Sequence, residues 1–82
     1  MGTKVFSSAV NFNAVTPSDS TIVTCMALYI GGSGNIAIAP SQAGSAVTFS
    51  NVGAGTILPV SLKEGRVMST NTTATNIVAL SW

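Results

Sequence analysis

The chain of 82 residues carries three basic side chains, two acidic ones and no histidine, for a net charge of +1, while 46% of it is apolar. Soluble domains hold about a quarter charged residues, so the polar surface here must be built from neutral Ser, Thr, Asn and Gly, which pack against other protein at little desolvation cost. This balance argues against a disordered chain and against nucleic-acid binding, which needs many cations to release counterions, and it leaves almost nothing for acid–base catalysis.

Strand signals run along the whole length. β-Branched residues are abundant and good helix formers scarce, and the segments between Gly, Pro and Asn clusters are about five to nine residues long, which is strand length. Residues 4–12 are predicted to form a first strand with Phe6, Ser8, Val10 and Phe12 on its core face. Residues 17–20, Pro-Ser-Asp-Ser, read as a turn whose short side chains bond nearby amides. Residues 21–30 read as one central strand, apolar on both faces toward its end. Gly31-Gly32-Ser33-Gly34 is predicted to turn the chain into a returning strand, 35–39, as a hairpin. A loop over 40–45 leads to a strand over 46–51 that shows Val47 and Phe49 on one side, and 52–55 turns again. Pro59 makes 56–62 an edge or bulged strand. Lys63-Glu64-Gly65 reads as a tight turn, 66–70 as a short strand, 71–74 as a polar connection and 75–81 as the closing strand. Turns every 8–12 residues over about seven short strands predict a small all-β fold, an antiparallel β-sandwich or barrel. Residues 1–13 are expected to be an N-terminal arm or first strand, and 14–82 a single β domain.

Few constellations carry chemistry. Asp19 and Glu64 are the only acids and nothing in the pattern brings them together. A nucleophilic Ser or Cys lacks the usual histidine base. Cys25 is the only cysteine, so an internal disulfide is excluded, and with no histidine a structural zinc site is excluded too. Its place in an apolar run suits a small buried hydrophobe. The glycine-rich stretches are not followed by a helix pattern and so do not read as phosphate loops. No catalytic residue, metal or cofactor is expected. No signal peptide or membrane-spanning run is visible; Asn71-Thr72-Thr73 has the form of a glycosylation sequon, but without a secretory signal it reads as a polar turn.

Interaction is the remaining chemistry. Lys63 and Arg66 flank one predicted turn and suit an acidic partner, or simply a solvated loop. Trp82 is either an interface anchor, a role in which Trp is enriched, or a cap on its own core. The same two readings hold for Phe6 and Phe12, which on an arm would pair with a neighbouring subunit by strand addition at a sheet edge.

From residue 14 onward a resemblance becomes visible. Ala14-Val15-Thr16-Pro17-Ser18-Asp19, Ala27-Leu28-Tyr29-Ile30-Gly31, Gly34-Asn35-Ile36-Ala37-Ile38, Val47-Thr48-Phe49-Ser50-Asn51-Val52, Ala54-Gly55-Thr56-Ile57-Leu58-Pro59-Val60 and Thr72-Thr73-Ala74-Thr75-Asn76-Ile77-Val78-Ala79-Leu80 occur in consistent order. Together they resemble the small head-spike base proteins of tailed phages and gene transfer agents. The resemblance implies a non-enzymatic virion component on the capsid exterior, made in the host cytoplasm, forming an oligomeric platform that carries a fibre. Its implied partners are the major capsid protein, further copies of itself and a spike or fibre protein, with no nucleic acid and no membrane. The chain departs from that family at Asn35, where Asp is frequent, at Asn71, where Gly is frequent, and in carrying fewer arginines over 58–67. A lattice-wide decoration or cement protein is therefore the variant reading. The rival from another class is a carbohydrate-binding module that uses Tyr29, Phe49 or Trp82 as a stacking platform for a host-surface glycan.

Overall fold

The computed structural model describes residues 9–82. It contains eight strands: β1 (Asn11–Val15), β2 (Val23–Cys25), β3 (Ala27–Gly32), β4 (Gly34–Ala39), β5 (Val47–Val52), β6 (Thr56–Leu58), β7 (Leu62–Val67) and β8 (Thr75–Ser81). They form two four-stranded antiparallel sheets, in the orders β1-β8-β3-β6 and β2-β7-β4-β5. The all-β sandwich expected from the sequence is thus the fold.

The core lies between the sheets. Leu28, Ile30, Ile77 and Ala79 of the first sheet meet Cys25, Ile36, Ile38, Leu62 and Val67 of the second, with Val15, Phe49 and Leu58 packed against the margin. Leu28, Ile30 and Ile36 are fully enclosed. Period-2 alternation sets this: on β8, Ile77 and Ala79 point inward while Val78 and Leu80 stay half-buried on the other side.

Several expectations are corrected. Residues 21–30 are two strands, not one, because the chain crosses between sheets at Met26, whose amide bonds Leu80 O at 2.8 Å. The double burial expected of this stretch fails at Tyr29, which keeps 36% of its surface exposed. Gly31 and Gly32 lie inside β3 rather than in a hairpin turn, and β4 pairs with β5 and β7 instead of β3. Gly31 is required by close approach: a Cβ there would sit 2.8 Å from the Cβ of Asn76. Lys63-Glu64-Gly65 is strand rather than turn. The β2–β7 register slips between Val23 and Cys25, and Glu64 absorbs the extra residue in the left-handed region with a φ of 54°. The first strand begins at Asn11, so most of the stretch predicted for it, residues 4–8, lies outside the described residues.

Candidate interaction surface

The face of the first sheet turned away from the core follows from register and alternation. Ala14 pairs with Val78, Val78 with Tyr29, and Tyr29 with Ile57, an apolar row across all four strands. Beside it Phe12 pairs with Leu80 and Leu80 with Ala27. Phe12 is 68% exposed and Ile57 57%. None of the four strands of this sheet contains a charged residue.

The charges lie elsewhere. Lys63, Glu64 and Arg66 all sit on β7 of the second sheet. Arg66 is half-buried, and its terminal nitrogens donate to Asp19 O at 3.2 Å and Gln42 O at 3.3 Å. The Asp19 carboxylate accepts bonds from the Ser69 and Thr70 amides at 2.8 and 3.0 Å and from the Thr70 hydroxyl at 2.6 Å. The Thr70 hydroxyl, and after it the amides, hold the Asp19 carboxyl at about 2, below its ordinary 3.8. Asp19 and Arg66 therefore fasten the 17–20 turn and the 40–46 loop to β7. Lys63 stays exposed to solvent.

Of the residues singled out from the sequence, Phe6 lies outside the described residues. Phe12 was expected on a core face and is instead on the outer face, because β1 turns Val15 inward and alternation then sends Phe12 and Ala14 out. Trp82 follows β8 and is 44% exposed, at the end of the sheet where Val10 N bonds Ser81 O, so it lies near the start of β1. Lys63 and Arg66 are on the other sheet, and the structure does not bring them together with Phe12 and Trp82. Ile57, Val78 and Leu80 were missed as surface candidates. The available signal was apolar character at both alternating sets of positions in 75–81.

Cys25 is buried, and that burial raises its thiol pKa, which suits a packing role. A groove of about 470 Å³ runs between the β1 and β2 edges, lined by Asn13, Thr16, Ser18, Thr21 and Thr24 among others and by no aromatic residue. It offers no stacking platform for a sugar, and Phe49 packs against the core. Among the described residues, no group of three or more His, Cys, Asp and Glu is placed to hold a metal ion, and no helix is long and apolar enough to cross a membrane.

A chain of the solved structure described as "Capsid of native GTA particle computed with C5 symmetry", GTA being a gene transfer agent, is 39% identical to this one. The two superpose with a TM-score of 0.78 over 92% of this chain and 86% of that one. The chain belongs to the family of that capsid-particle protein. No family model matches it, and no curated protein does. Asn35 and Asn71, the two asparagines at which the sequence departs from the resemblance described above, have defined local settings. The Asn35 side-chain oxygen accepts the Asn51 amide at 3.0 Å, a role an Asp carboxylate also fills. Asn71 has a φ of 68°, where a Gly would be free of strain.

Proposed function

We propose that this chain is a non-enzymatic structural protein on the outside of a phage-like capsid, serving as head decoration or cement or as the oligomeric base of a head spike or fibre. Membership of a capsid-particle family at 39% identity is the observation that carries this reading. The charge-free outer face of the first sheet supports it, since neutral apolar surface is what repeated lattice contacts bury at low desolvation cost. Many weak contacts of that kind become strong by avidity on a lattice. Asp19 also fits a structural role, because its carboxylate is engaged with Ser69 and Thr70. The partners in this reading are the major capsid protein and further copies of the chain, with a spike or fibre protein in the base version. Phe6, Phe12, Lys63, Arg66 and Trp82 are its candidate contacts.

Co-sedimentation of purified protein with capsids that lack it tests the proposal. Saturation at many hundreds of copies per particle identifies a lattice-wide cement protein, and saturation at a few tens a vertex base. Absence of binding removes the reading. A chain lacking residues 1–8 keeps β1 to β8, so its loss of binding with an unchanged melting curve assigns contacts to residues 1–8 of the arm, and full binding dismisses them.

A further inference from the structure

We infer that the outer edge of β1 takes one extended strand of another protein of the capsid particle, paired to it by backbone hydrogen bonds along the groove between β1 and β2. The inference rests on the capsid-protein reading for the source of that strand, while the edge itself is tested without capsids.

The two sheets have four outermost strands, β1, β6, β2 and β5. An open edge invites another chain to pair, and proteins blunt their edges with short strands, bulges, proline or charge. Three of these four are blunted. β2 and β6 are three residues long. The β2 register slips, and Pro59 directly follows β6. The β4–β5 register breaks between Gly34 and Ile36, and Asn51 of β5 holds a φ of 58°. Only β1 keeps five residues in unbroken register with no proline and no charge.

Pairing with β8 decides which backbone groups of β1 stay open. Ser81 O accepts Val10 N on one side of β8, and Leu80 O accepts Met26 N on the other. Alternation then turns the backbone of Ile77, Ala79 and Ser81 toward β1. Their partners Val15, Asn13 and Asn11 are engaged with β8. Phe12 and Ala14 aim their N–H and C=O outward, where the first sheet has no further strand.

Ala14 lines the groove at this edge, next to Val15 and Val23 at the core margin and the hydroxyls of Thr16, Thr21 and Thr24. No charged residue lines it. Such a setting suits a neutral strand whose side chains alternate between apolar and hydroxyl-bearing. A second folded copy suits it poorly. Antiparallel pairing of two β1 strands puts both 16–22 connections on the same side of the joined sheet, competing for one groove.

Hydrogen exchange followed by NMR tests the edge. In the free chain the Phe12 and Ala14 amides are expected to exchange fast, with Asn13 and Val15 protected. The end-capped peptide Thr-Val-Thr-Val-Thr is expected to slow the Phe12 and Ala14 amides and to shift the resonances of residues 21–24. Ala14→Pro removes an outward donor but no bond to β8, a placement that edge strands tolerate. It is expected to weaken peptide binding about tenfold or more, the scale of one or two hydrogen bonds. N-methylation of alternate peptide residues is expected to do the same. Circular-dichroism melts show whether Ala14→Pro folds, and Phe12→Pro, which removes the other outward donor, decides if it does not. On capsids that lack the protein, the same proline variants are expected to lower the copies bound. Protection of Phe12 and Ala14 in the free monomer overturns the inference, as does peptide or capsid binding indifferent to both prolines. A concentration-dependent dimer that Ala14→Pro dissolves also overturns it and gives the edge to a second copy. If the unmodified chain ignores capsids, the capsid reading falls, and the peptide result still decides the edge.

Discussion

Among the described residues, four non-glycine residues hold a positive φ: Asn51, Glu64, Asn71 and Asn76. Asn tolerates that region because its short amide can bond locally, whereas a Glu there carries roughly 1–2 kcal/mol of strain. Glu64 is fixed in place by the β7 bulge and by its amide, which donates to Thr24 Oγ1 at 3.1 Å. Glu64→Asn keeps that backbone bond and relieves the strain, so urea denaturation is expected to show a gain of about 0.5–1 kcal/mol. Asp19 sets a pH dependence instead. Its folded carboxyl sits at about 2 against an ordinary 3.8, so the native state favours the ionised form. The stabilisation is complete above the ordinary value and fades as pH falls through that interval toward the folded value. The melting temperature is expected to fall on acidification across this window, and the Asp19→Asn chain to melt lower at neutral pH with a flatter profile. An unchanged profile in that variant would place the acid sensitivity elsewhere.

At the scale of elements, glycine placement separates turns from close packing. Gly55 has a φ of +80° and open space around its missing Cβ, a turn glycine. Gly31 is a packing glycine, since a Cβ would also meet Asn76 O at 2.9 Å. Gly31→Ala is therefore expected to force β3 and β8 apart and lower stability by about 1–3 kcal/mol, measured by denaturant unfolding. Composition alone does not distinguish the two cases, which is why Gly31-Gly32-Ser33-Gly34 read as a hairpin turn when it is a sheet-to-sheet corner. The limits of residues 75–81 were legible because Ile77 and Ala79 alternate with polar and half-buried neighbours up to Ser81. The split of residues 21–30 was not, since an unbroken apolar run carries no mark of where a chain changes sheets. The bulge at Glu64 was hidden for a related reason: Lys-Glu-Gly has turn composition, and only the pairing of β2 with β7 pulls it into a strand. Of the interaction surface, Phe12 was legible as a candidate but on the wrong side of its strand. Ile57 became visible only once the register placed it beside Tyr29.

The whole molecule has one sheet without charge and one that carries Lys63, Glu64 and Arg66. These two sides make opposite demands on salt. Between about 0.1 M and about 1 M NaCl the Debye length shrinks from about 10 Å to about 3 Å, which erases attraction between exposed charges. Apolar burial survives that change, and sulfate strengthens it by exclusion from protein surface. If the neutral sheet supplies the contacts, copies bound per capsid should hold constant across this NaCl range and rise in sulfate. The charged β7 side, with Lys63 exposed and Arg66 tied to Asp19 and Gln42, would give the reverse. Binding would then drop steeply with NaCl, and Lys63→Ala would remove most of the salt dependence. Co-sedimentation at the two ends of the range, with Ile57→Lys and Lys63→Ala run in parallel, separates the two sides. Salt-insensitive binding that Ile57→Lys abolishes assigns the apolar face, while a steep salt loss matched by Lys63→Ala assigns the charged β7 side.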